Sequence, residues 1–153
     1  MGGVSASIQA IIIFTSGSPY NLAHKISVFN LIPPIWIWCI TLIIDAFLLG
    51  YAFGTVVIEL SSANVCRESV IQAYQGGMFF VATYLLSLAH YPLFFIQQKL
   101  LTALIITFIA FILSCICVFF WRKISIISCA VMIIHSAWIA YVVFVNGYIV
   151  FKI

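Results

Sequence analysis

The chain has 153 residues, 66% of them hydrophobic and 6% charged, with a mean hydropathy of +1.30. Soluble domains carry about 25% charged residues, so this composition excludes a water-soluble fold and makes the chain an integral membrane protein of one domain, 1–153. A thinly spread net charge of +3 also excludes nucleic acid as a partner.

The first apolar run, about Val4–Ser16, is short for a crossing, which takes about 20 residues. It would span only with bilayer thinning or support from neighbours. The N-terminus lacks a basic n-region and a good cleavage site after Ile8–Phe14, so it is not read as a secretory signal. Ala6 breaks the myristoylation pattern. Gly17–Ile32 is a polar loop, and Pro33 and Pro34 open a second segment over 34–58, where proline suits the first turn. Asp45 is the single charge inside it. Glu59–Glu68 is a polar connection. Ser69 with Gln72 reads as a capping box for a third segment over 70–90, which Pro92 ends or kinks.

A hinge at Gln97, Gln98 and Lys99 leads to the fourth segment, 100–121, which holds no charge and is closed by Arg122 and Lys123. Ser125 starts the fifth, 125–151, uncharged up to Lys152. The expected fold is all-α, an up-and-down bundle of five transmembrane helices with a short first helix. Lys25, Lys99 and Lys152 fall on one side and Arg67, Arg122 and Lys123 on the other, so the positive-inside rule gives no orientation.

The polar and aromatic residues inside these segments are the candidates for function. Ionised Asp45, near the bilayer midplane, costs about 2.5–3.5 kcal/mol on insertion scales. It is therefore protonated, paired or open to a water-filled cavity, and His90 and His135 are the candidate partners. Each histidine alone also reads as a satisfied core residue. Trp36 and Trp121, at segment ends, fit an interfacial aromatic belt. Trp138, midway along its segment, fits a pocket or the bundle core. Asn146 either bonds a neighbouring helix or holds the polar edge of a ligand. Cys39, Cys66, Cys115, Cys117 and Cys129 form no CxxC pair and read as packing residues. No catalytic set or metal-ligand spacing is present, so no enzyme is expected.

Three patterns occur in order: PPIWIW (Pro33–Trp38) with Gly50 and Ala52 beyond it; HYPLFF (His90–Phe95) followed by Ala103 and Leu104; and Trp121, Trp138 and Asn146. Together they resemble the translocator protein family (TspO/MBR), also called tryptophan-rich sensory proteins or peripheral benzodiazepine receptors. That family opens its second helix with Pro-Pro-x-Trp and carries Gly-x-Ala later in it. It closes the third with W-x-P-x-F-F, has Ala-Leu early in the fourth, and a Trp then an Asn in the fifth. The resemblance covers about Pro33–Ile153, with departures that mark a divergent member. Only Tyr20 and Lys25 fit the family's Tyr-x-x-Leu-x-Lys-Pro element. The family's second-helix Trp falls at Leu42, its third-helix Asn at Ser87 and Trp at His90. A fourth-helix aromatic falls at Thr102, and the Pro-Tyr pair before the fifth-helix Trp becomes Ile134–His135.

The resemblance implies a receptor or carrier that binds a porphyrin (haem, protoporphyrin IX) or a sterol such as cholesterol between its helices, for sequestration or transport. It implies no required cofactor, and the mitochondrial outer membrane if the source is an animal. Carried onto this chain, the ligand-binding residues are Trp38, Leu42, Ser87, His90, Thr102, Trp138, Val142 and Asn146. Val145, Tyr148 and Lys152 match a sterol-recognition pattern of hypothesis grade; Tyr148 and Lys152 also read as plain interface anchors. Some bacterial relatives are linked to porphyrin photo-oxidation through pocket tryptophans, of which only Trp138 clearly survives. Small-residue helix faces suit a homodimer. Two rival readings remain: a small proton-linked transporter using Asp45, His90 and His135 as a relay, and a structural membrane scaffold in which Gly50, Ala52 and Gly54 serve packing alone.

Overall fold

The structure, a computed structural model, describes residues 35–61 and 66–152. They form four long helices: α1, Ile35–Leu60; α2, Arg67–Tyr91, extended by a π turn over Pro92–Ile96; α3, Leu100–Trp121; and α4, Ile126–Lys152. Each contains a stretch long and apolar enough to cross a membrane. The protein is thus an integral, multi-pass membrane protein, and its outer face is apolar, with Ile44, Phe47, Ile58 and Phe151 all exposed.

The expectation of five spans with a short first helix needs correcting. The structure is an all-α bundle of four membrane-crossing helices among the described residues. The run over 4–16 would reach only about 20 Å as a helix, short of the roughly 30 Å of hydrocarbon. That run lies outside the described residues.

Local chemistry sets the helix ends. α1 begins directly after the Pro33–Pro34 pair. α2 begins at Arg67, so the Ser69–Gln72 capping box does not form; Cys66 holds the N-cap position without a side-chain bond. Gln72 instead donates to Glu68 at 3.1 Å, one turn back, and Glu68 sits in the first turn, where a carboxylate meets the positive end of the helix dipole. Pro92 does not stop α2. The helix runs on as one π turn, in which the Gln97 N–H donates to the Pro92 carbonyl at 3.0 Å. Gln98, in the left-handed region at φ 53°, then turns the chain into α3. Ser125 caps α4, its hydroxyl accepting the Ser128 N–H at 3.4 Å.

α3 packs most extensively, against α2 on one side and α4 on the other; α4 also packs on α1, while α1 and α2 touch at few points. The inward residues of α3 are Ala103, Thr107, Ala110, Ser114, Cys117 and Trp121, alternating four and three apart. That spacing gives a continuous seam on a helix that crosses its neighbours at a shallow angle, and its small side chains let the backbones come close. Gly76, Thr83 and His90 repeat the same interval on α2. Hydroxyls tie the seams: Ser136 meets Ser114 at 2.9 Å, and Ser128 of α4 donates to the Ala52 carbonyl of α1 at 2.9 Å. Cys117 donates to the Gly76 carbonyl at 3.4 Å, so this thiol is packed and bonded across the α2–α3 seam.

Trp121 is not a belt residue. It is fully buried and stacks on Phe80 with ring centroids 5.2 Å apart. Its pyrrole edge lies against Gly76, where any Cβ would collide with it. The missing side chain at Gly76 makes the socket that draws the indole inward. The side chain of Trp36 lies outside the described residues.

The apolar core falls into two clusters at opposite ends of the bundle. One joins Leu42, Tyr91, Phe94, Ala103, Val145 and Ile149; the other joins Leu49, Ala52, Val56, Ala73, Cys117, Trp121, Val131 and Met132. Asp45, His135 and a small hollow lie in the break between them.

Candidate functional site

The hollow is built from all four helices. α1 contributes Leu42, Asp45, Ala46 and Leu49; α2 contributes Tyr84, Ser87, His90 and Tyr91. Thr107 comes from α3, and His135, Trp138, Ile139 and Val142 from α4. Three- and four-residue steps along α4 set His135, Trp138 and Val142 on one face. The cavity volume is about 30 Å³. That exceeds what a water molecule needs but is far below the roughly 300–1,000 Å³ of small-molecule pockets. In this conformation it has room for a small polar group but not for a whole fused-ring plate.

Its wall holds one acid–imidazole pair. His135 Nδ1 lies 2.9 Å from Asp45 Oδ1 and 3.0 Å from Oδ2. An ionised carboxylate only accepts, so the Nδ1 proton is shared between its two oxygens. The His135 side chain is 3% exposed and that of Asp45 17%. The second ring nitrogen of His135, Nε2, has no hydrogen-bond partner among the described residues. This pair resolves the open question of which histidine meets Asp45.

His90 is occupied elsewhere. The Asn146 amide donates to His90 Nε2 at 2.9 Å and to Thr107 Oγ1 at 3.2 Å, and Thr107 donates to the Ala103 carbonyl at 2.6 Å. The accepting Nε2 assigns the His90 proton to Nδ1. Tyr91 and Phe94 hold the ring, with centroids 5.3 and 5.4 Å away. Asn146 thus ties α4 to α2 and α3 and fixes a wall of the hollow from one layer behind. Asn146→Ala is expected to cost about 0.6 kcal/mol, and no more than about 1.7, read as a small shift of unfolding in detergent.

Of the candidates named from sequence, Leu42, Ser87, His90, Trp138 and Val142 come together around the hollow. Thr102 does not join them; it is exposed on the outer face of α3, because the seam turns Ala103 inward. Trp38 belongs to α1, but its side chain lies outside the described residues. Val145 is buried in the core cluster of Leu42 and Ile149 instead of facing lipid. Tyr148 is half-buried, and the side chain of Lys152 is not among the described ones. Gly50 lies outward with nothing within 4 Å of where a Cβ would stand, while Ala52 is fully buried against α4.

Sequence reasoning missed Ala46, Leu49, Tyr84, Tyr91, Thr107 and Ile139. Tyr84 and Tyr91 stand two turns apart on α2, one turn on either side of Ser87, and Thr107 belongs to the small-residue repeat of α3. Those two patterns could have found these three.

The family model of the TspO/MBR family matches residues 4–152, nearly the whole chain. Among curated proteins and among solved structures, none matches.

Proposed function

The chain belongs to the TspO/MBR family, whose general role is reception or transport at a membrane, and from that premise we propose that it binds a porphyrin or a sterol between its helices and holds it or passes it on within the bilayer. The observation that supports this reading is the hollow at the break in the core. Aliphatic side chains and Trp138 make much of its wall, and among its polar groups Asp45, His135, His90 and Thr107 are held by hydrogen bonds. A large apolar face with one or two polar handles suits such a wall. A guest of that size enters when α1 and α2 part, since these helices touch at few points and their separation breaks few contacts. No chemistry on the guest is needed, and the role is that of a non-enzymatic receptor or carrier.

The test is a titration of protoporphyrin IX into the purified protein, read by tryptophan fluorescence, with cholesterol as competitor. Saturable quenching that shrinks in Trp138→Phe is the expected result. Linear quenching, or quenching identical in the variant, contradicts it.

One contact favours a second reading, a proton-linked carrier. Asp45 and His135 share a proton beside a hollow with room for water. Asn146 occupies His90 Nε2, so His90 would join a proton relay only through Nδ1. Asp45→Asn, reconstituted in liposomes, should abolish proton flux under this reading; under the first, neither the parent nor the variant carries such a flux.

A further inference from the structure

We infer that the Asp45–His135 pair selects the guest's polar end, and that the hollow takes a slim apolar molecule ending in a protonated amine. This rests on the reading above that the hollow binds a guest within the bilayer, and names a different ligand class for it.

The argument starts from charge. Among the described residues Asp45 is the only Asp, Glu, Lys or Arg away from the ends of the four spans. His135 is its single hydrogen-bond partner. One shared proton leaves most of the lone pairs of an ionised carboxylate unused, and Asp45 lines the hollow. Among the described residues no lysine or arginine lines it, so a guest carboxylate would meet a like charge with only imidazoles to offset it. An ammonium meets the opposite: a carboxylate acceptor, with the rings of Tyr84 and Trp138 in the same wall. Size agrees with charge. A cavity of about 30 Å³ takes an ammonium head without rearrangement, whereas a plate requires the helices to part.

Among the described residues, the groups that share the hollow with Asp45 are His135 from α4, Tyr84, His90 and Tyr91 from α2, and the Thr107 hydroxyl from α3. His90 Nε2 is taken by Asn146, which leaves His135 as the imidazole bonded to the acid. A cationic guest would offer the carboxylate a second donor beside it.

The experiment uses the full chain in nanodiscs and three probes with one body, dodecylamine, dodecanol and dodecanoate, each displacing protoporphyrin IX. The amine should bind about tenfold tighter than the alcohol or more, the carboxylate weakest. Asp45→Asn should bring the amine down to the alcohol's level. His135→Gln, which keeps the acid and a hydrogen-bonding side chain, serves if that variant does not fold; it should keep the preference for the amine, and losing that preference would overturn the inference. An equal or tighter carboxylate, or an amine preference that survives in Asp45→Asn, overturns the inference while saturable porphyrin binding leaves the broader reading standing. If porphyrin and all three probes fail to saturate, both fall.

Discussion

His135→Leu is expected to destabilise the bundle by about 3–5 kcal/mol, the cost of stranding one member of a buried ion pair. Asp45 has no other hydrogen-bond partner among the described residues, and the contact joins α1 to α4. α1 touches α2 at few points, so its attachment depends on α4, through this pair and through the Ser128 hydroxyl on the Ala52 carbonyl. The loss should therefore appear first as detachment of α1, seen as protease or thiol access along its inner face. The double variant Asp45→Leu/His135→Leu separates the pair's own worth from the penalty of stranding. Replacing a buried pair with apolar residues is often neutral or stabilising by about 1–4 kcal/mol. The double variant should recover most of the loss in a denaturation titration in mixed micelles. If it is as unstable as the single variant, the pair is not what holds α1 in place.

Trp121→Ala should cost a similar amount, about 3–5 kcal/mol. The indole is fully buried, stacks on Phe80, and belongs to the cluster that joins all four helices at one end of the bundle. Its Nε1 has no hydrogen-bond partner among the described residues, so the loss is one of packing and not of a bond. Gly76→Ala attacks the same socket from the other side, placing a carbon where the pyrrole edge lies, for about 1–3 kcal/mol of overpacking. Combined, the two changes should cost less than their sum, because the new methyl enters space the indole has left. The four unfolding midpoints of this cycle measure that coupling directly. Strict additivity would mean the two residues do not share the socket.

Hydropathy made the four described spans legible, with ends a few residues off, because lipid imposes a simple length rule on each helix. It went too far in counting the run over 4–16, where composition suited a helix but length did not suit a crossing. What lies between helices was harder. Asp45 stood out as a charge that needed an answer, but His90 and His135 were equal candidates. Spacing along one helix does not fix the register of another, and the choice depends on Asn146 claiming His90 first. Trp121 misled for a related reason. A tryptophan beside Arg122 and Lys123 looks interfacial, and only Gly76, on another helix, draws it into the core. The repeat of small residues from Ala103 to Cys117 was legible and shows the inner face of α3. Reading it would have excluded Thr102 from the site. The candidate positions at Leu42, Ser87, His90, Trp138 and Val142 converge because each lies on the inner face of its own helix, near the break between the two clusters.

A photoactivatable cholesterol, bound to the purified protein, irradiated and mapped by mass spectrometry, tests most directly whether a guest occupies the hollow. Adducts on the peptides carrying Leu49, Ser87 and Trp138, lost when protoporphyrin IX is added, are the predicted result. Adducts confined to outward residues such as Ile44 and Thr102, and unaffected by the porphyrin, would contradict it.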